Sequence, residues 1–304
     1  MAAPARQPVV SAKFPFGGRR ETAIGKSTAE LRERFARDGY LVFERAIDAG
    51  AIESIRAAAA RIVDAFDPSL HRTVFSTKDR DRGRDRYFME SAEAVHCFLE
   101  EEAVDADGGL VRPKELAINK IGHALHDRVP EFRTFCRQPL LKEILAQLGY
   151  ADPLLWQTMY IFKQPRIGGE VRWHQDASYL ATEPASVVGL WVAVEDARRD
   201  NGCLWVQPGG QHSPLREIYR VDHATLEGRL TTLSAAPWPR EDQAVAVEVP
   251  RGSLVVFSDH LPHYSSPNRS ERSRQAFTMH FAEAASAWSA DNWLQRPRLG
   301  PFRP

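Results

Sequence analysis

The chain is poor in cysteine. Cys97, Cys136 and Cys203 are its only three in 304 residues, an odd and widely spaced set with no Cys-x-x-Cys. This argues against a disulfide framework or a thiolate zinc site and fits a reducing compartment. Long apolar runs are missing too. None approaches the roughly 18 residues of a membrane span, and no stretch resembles the apolar core of a signal peptide. Net charge is also lacking: forty acidic side chains cancel forty basic ones. No global field therefore draws the protein to nucleic acid or to a membrane surface. Repeats, low-complexity tracts and an interdomain linker are absent. The opening twenty residues hold Arg6, Lys13, Arg19 and Arg20 without an acid, but Pro4, Pro8 and Pro15 interrupt any amphipathic period. Residues 1–26 read as a loose N-terminal arm, and the expected location is cytoplasmic.

What is present is enough apolar surface, 43% of residues with 10% aromatic, to bury one large core. A single domain over residues 1–304 is expected, with helical support in 27–150, a β-core in 151–283 and a tail in 284–304. Ser27 and Glu30 form a capping-box pattern before TAELRERFARDGY. YLVF (40–43) reads as a strand, and AIESIRAAAARIVDAF as a helix that stops at Pro68. STKDRDRGRDRYF mixes basic residues with aspartates and reads as a solvated loop. ELAINKIGHALHDRVPEF (115–132) reads as a helix carrying Lys120, His123 and His126. An i, i+3 histidine pair can ligate a metal, but no nearby acid completes a third corner.

From residue 154 the texture changes to short strands bounded by Gly, Pro and Asn: LLWQTMYIF, VRWHQDASYL, VVGLWVAVED, GCLWVQP, AVAVEV, GSLVVFSD and RQAFTMHF. Strands at short intervals without intervening helices predict a sandwich or jelly roll rather than a βαβ sheet. On a strand, His174 and Asp176 share a face while Gln175 points away. Two histidines with one carboxylate suit Fe(II) and leave open positions on the metal. The third ligand can come from His212, His260, His263 or His280. The segment DHLPHYSSPNRSERSR favours His263, just past the apolar strand SLVVF and eleven residues before Arg274. His260 has a different offset and precedes Pro262 by two. His212 follows a Pro-Gly-Gly turn, and His280 reads as a core histidine. By alternation Arg274 shares a face with Ala276 and Thr278. An interior guanidinium needs a carboxylate partner, which a cosubstrate acid can supply.

WHQD, NGCLWVQPGGQH and HYSSPNRSERSRQAF resemble the signature blocks of the phytanoyl-CoA dioxygenase family of Fe(II)/2-oxoglutarate oxygenases, and the likeness runs from about residue 30 to about 297. The resemblance implies a mainly β fold with flanking helices, the double-stranded β-helix. It implies His174, Asp176 and His263 as catalytic iron ligands. Arg274 and Ser265 would bind the distal carboxylate of 2-oxoglutarate. Lys120, Met159 and Trp191 would border that cosubstrate, and Gln175 would brace the motif beside it. The implied reaction consumes O2 and 2-oxoglutarate, releases succinate and CO2 and hydroxylates a substrate C–H, with ascorbate a candidate reductant. An aspartate at 176 implies hydroxylation, because related halogenases leave that position without a carboxylate. The expected partner is a small molecule or a modified group. Two alternatives are an acyl-CoA hydroxylase and a non-catalytic jelly-roll binding protein.

Overall fold

The structure, a computed structural model, describes residues 27–71, 73–75 and 86–304. The expected N-terminal arm, and most of the charged loop after Ser76, lie outside the described residues. Sixteen strands run through the described residues. In order they are β1 (Tyr40–Phe43), β2 (Val74–Phe75), β3 (Val95–Glu100), β4 (Ile118–His123), β5 (Pro153–Lys163) and β6 (Val171–His174). Next come β7 (Thr182–Glu183), β8 (Val188–Ala193), β9 (Leu204–Val206), β10 (Glu217–Asp222) and β11 (Glu227–Thr232). Last are β12 (Val245–Val247), β13 (Leu254–Ser258), β14 (His263–Ser265), β15 (Arg274–Glu283) and β16 (Ala287–Trp288).

A large sheet has the order β1-β13-β8-β15-β5-β4-β3-β2, and a smaller one β12-β9-β14-β6. Together they build the double-stranded β-helix that the resemblance implies, a form of the jelly roll expected from the strand pattern. The hydrophobic chemistry of β15 shows how the layers are held. Phe277, Met279 and Phe281 are buried against the helices Thr28–Asp38, Ala49–Ala65, Pro130–Cys136 and Pro139–Leu148 through Leu31, Ile52, Phe132 and Leu141. Each such side chain contributes about 1.5–3 kcal/mol by leaving water. The opposite face of β15 carries Ala276, which packs with Trp191, Leu204, Val206 and Phe257 between the sheets. Coverage of both faces explains why almost every residue of β15 is buried.

The capping box at Ser27 forms as expected, with Ser27 Oγ accepting from Glu30 N–H and Glu30 Oε2 accepting from Ser27 N–H. Gly39, in the left-handed region at φ 79°, ends that helix. All three cysteines are free and buried. Among the described residues no helix is long and apolar enough to cross a membrane.

Several expectations need correction. The segment 115–132 is not one helix: β4 occupies Ile118–His123, and short helices follow at Leu125–Arg128 and Pro130–Cys136. Its pairing with β3 and β5 outweighs the helical propensity of its Leu, Ala and Lys residues. The region 27–150 carries most of the helices and also supplies β1 to β4 of the large sheet. Strand β6 also stops at His174, and Asp176 opens a single 3-10 turn, Asp176–Ser178. The tail is no appendage: Trp293 and Leu294 are buried with Phe88, Val187 and Tyr219.

Candidate active site

A cavity of about 540 Å³ opens between the two sheets. Pairing in the small sheet sets its chemistry. Residue His263 of β14 lies directly opposite His174 of β6, and the two rings stand 4.0 Å apart between centroids. His174 Nδ1 lies 2.8 Å from the Arg172 carbonyl oxygen, and His263 Nδ1 lies 2.9 Å from that of Leu261. A carbonyl can only accept, so both rings carry their hydrogen on Nδ1 and leave the Nε2 lone pair free. Asp176 Oδ1 lies 3.7 Å from each Nε2. One ligand atom from each of the three residues falls within 4.8 Å of the others, a group that could hold a metal ion.

The electrostatics favour a cation at that point. Burial and the neighbouring His263 push the His174 imidazole down to about 3, against the pull of Asp176, so the ring is neutral at pH 7. Burial pushes the Asp176 carboxyl up, but His280, His263 and His174 outweigh it and hold it below the usual carboxylate range. Two imidazoles that present Nε2 and one carboxylate make a donor set suited to a borderline divalent metal, and Fe(II) fits it.

Arg274 is 1% exposed at the other end of the cavity. Burial pushes the guanidinium down to about 10, which leaves it charged at neutral pH. Its Nε donates to the Gly202 carbonyl at 3.0 Å, and Nη2 donates to Ser265 Oγ at 3.2 Å. Its Nη1 is buried without a hydrogen-bond partner, and no ion pair is formed with a carboxylate of the described residues. An orphaned charge-bearing donor facing a cavity fits the carboxylate of a bound acid. Ser265 Oγ itself donates to Gly202 O at 3.0 Å, so its oxygen is oriented to accept from Arg274.

The Gly202 carbonyl thus anchors both halves of the clamp. The residue has φ 86°, and an added Cβ would stand 2.7 Å from Ser266 O and 2.8 Å from Lys163 Cδ. The Lys163 amine cannot readily yield, since it donates to the carbonyls of Gly169, Ser265 and Ser266. Gly202→Ala is expected to cost at least about 1–2 kcal/mol from the left-handed backbone alone. It should also weaken binding of a clamped acid, a pair of losses measurable by thermal melting and calorimetric titration.

The other expected residues divide. Lys120, Met159 and Trp191 line the cavity. Lys120 Nζ lies 4.0 Å from Met159 Sδ, and the Arg274 guanidinium carbon stands 5.5 Å from the Trp191 ring. Gln175 does not line the cavity. It is fully buried on the other side, where Nε2 donates to His260 O and Oε1 accepts from Arg216 N–H. It is a brace and not a cosubstrate contact. His260 bonds to Asp259, and His212 lies at the surface near Ala36, so neither joins the cluster.

Sequence reasoning missed the pairing of His280, whose Nε2 lies 3.1 Å from Asp176 Oδ2. It also missed the aromatic outer wall, to which Trp173, Tyr179, Tyr219, Trp238, Tyr264 and Trp293 contribute. Tyr219 and Leu230 come from the β10–β11 hairpin.

The sequence profile described as Phytanoyl-CoA dioxygenase (PhyH) matches residues 35–276. The chain belongs to the phytanoyl-CoA dioxygenase family. A relative within the family, the phytanoyl-CoA dioxygenase domain-containing protein 1 of Bos taurus, is 41% identical over 282 residues, covering 90% of this chain and 96% of the relative. The fold is also that of SnoK, a non-heme alpha-ketoglutarate-dependent carbocyclase of nogalamycin biosynthesis, with TM-score 0.63, 19% identity and coverage of 94% and 96% of the two chains. The epimerase SnoN, solved with Fe3+, alpha-ketoglutarate and nogalamycin RO, gives TM-score 0.59 at 16% identity, covering 91% and 93%. Family membership and fold together make the chain an enzyme of the 2-oxoglutarate-dependent dioxygenase class.

Proposed function

We propose that the protein hydroxylates a C–H bond of a small organic substrate, with Fe(II) held by His174, Asp176 and His263 and with 2-oxoglutarate and O2 as cosubstrates. One observation carries this reading: a two-histidine, one-carboxylate cluster and a buried arginine with an orphaned Nη1 share one cavity. Bound iron and 2-oxoglutarate would supply oxidation by O2, one oxygen atom entering succinate as CO2 leaves and the other entering the substrate.

The chain's own residues do the rest. Arg274 and Ser265 would orient the distal carboxylate of the cosubstrate, with charge-assisted bonds from a buried guanidinium. Met159, Trp191 and Lys120 border that position. The carbonyls of Arg172 and Leu261 lock the two ligand imidazoles in the tautomer that offers Nε2. The aromatic wall around Tyr179, Tyr219 and Trp238 offers planar, apolar surface to a substrate.

Purified protein supplied with Fe(II), ascorbate and 2-oxoglutarate is expected to form succinate and CO2 in equal amounts, slowly without a substrate and faster with one. Absence of both succinate and 2-oxoglutarate binding would leave a jelly-roll binding protein as the better reading.

A further inference from the structure

Histidines of the cavity differ in which nitrogen they offer. His174 and His263 spend Nδ1 on backbone carbonyls and present Nε2 to the cluster. His280 does the reverse. Its Nε2 faces Asp176 Oδ2 at 3.1 Å, and an ionised carboxylate can only accept, so the hydrogen sits on Nε2. A ring so committed has no lone pair to give an ion at this point. His280 also stays outside the group of three ligand atoms that lie within 4.8 Å of one another.

Resting on the metal reading above, we propose that His280 is a positioning residue for Asp176: its Nε2–H holds Oδ2, so that Oδ1 alone is offered to the ion. Oδ1 is the oxygen 3.7 Å from both free Nε2 atoms. Without the bond to His280, the carboxylate can turn about its last torsion, and a carboxylate that chelates through both oxygens takes a coordination position the cosubstrates need.

Two observations speak against a packing role alone. His280 is 5% exposed, and its Nδ1 has no hydrogen-bond partner. A leucine at this site would avoid the free energy of burying that nitrogen unsatisfied. The local backbone is also irregular. Pairing of β15 with β5 jumps from His280↔Gln157 to Phe281↔Leu155, which leaves Trp156 bulged. Bulges of this kind re-aim side chains beside active sites.

The test uses Co(II) as the probe in the full-length protein, with three substitutions at one position. His280→Leu removes the donor. His280→Asn keeps polarity but is too short to reach Asp176, and serves should the leucine variant fail to fold. His280→Gln carries an amide N–H close to the place of Nε2. The leucine and asparagine variants are expected to bind Co(II) about 10–100-fold more weakly than the parent, and the glutamine variant to recover most of that loss. The visible absorption of bound Co(II) should change in the first two and return in the third, with the thermal midpoint of metal-free His280→Asn close to the parent's.

Parent-like affinity and spectrum in His280→Leu or His280→Asn would overturn the proposal. So would a glutamine variant as weak as the leucine one, since the donor would then not be what matters. A parent that fails to bind Co(II), or binds it equally well after Asp176→Ala, overturns the metal reading itself and not the role of His280 within it.

Discussion

Asp176→Ala is expected to abolish succinate formation and to weaken binding of a divalent metal by more than about 100-fold, because loss of an outer partner alone is worth 10–100-fold. The reasoning is geometric. Asp176 Oδ1 is the corner equidistant from His174 Nε2 and His263 Nε2, at 3.7 Å from each. It is also the cluster's only negative charge. Without it the two imidazoles form only a two-donor site. The variant should still fold, since the core clusters do not include this residue. Circular dichroism of the metal-free protein provides that control. Asp176→Asn separates charge from shape: it retains a carbonyl oxygen near Oδ1 but loses the charge, and intermediate metal affinity with little turnover is expected. Full turnover by the alanine variant would remove Asp176 from the ligand set.

How much of this was readable in the linear sequence depends on how local each determinant is. His174 and Asp176 lie two apart, and the alternation that puts Arg274 and Thr278 on one face of β15 is a property of eight residues. Such features survive without a structure. The segment 115–132 did not, because its Ile118 and Ile121 fit helical spacing as well as they fit a strand buried on both faces. Only pairing with β3 and β5 decides between them.

The β10–β11 hairpin escaped notice for a different reason. Its turn spends a positive φ, 60°, on Leu226 instead of a glycine or asparagine, so the usual punctuation is missing. His280 is the instructive case. Its face was readable from alternation, but its partner Asp176 is 104 residues away, and a histidine facing an interior looks the same whether it packs or positions. Trp293 shows the same blindness at longer range, since a tail without periodicity gives no sign that it closes a cavity wall.

Arg274→Ala is expected to raise the 2-oxoglutarate requirement about 30- to 1,000-fold, the equivalent of roughly 2–4 kcal/mol for a buried charge-assisted contact. The maximal rate at saturating cosubstrate should fall much less, because the clamp grips the end of the acid away from the metal. Substitution by lysine should recover only part of the loss, as an ammonium cannot reproduce the fork that keeps Nε on Gly202 and Nη2 on Ser265 while freeing Nη1. The decisive comparison uses a 2-oxo acid lacking the distal carboxylate, 2-oxovalerate. The parent should bind it about as poorly as Arg274→Ala binds 2-oxoglutarate, and the variant should lose little more on 2-oxovalerate, because the interaction is already gone. Additive losses in that cycle would mean that arginine and carboxylate act independently. The acid's distal end would then have to be sought elsewhere on the cavity wall, with Lys120, buried beside Met159, the next cation in line.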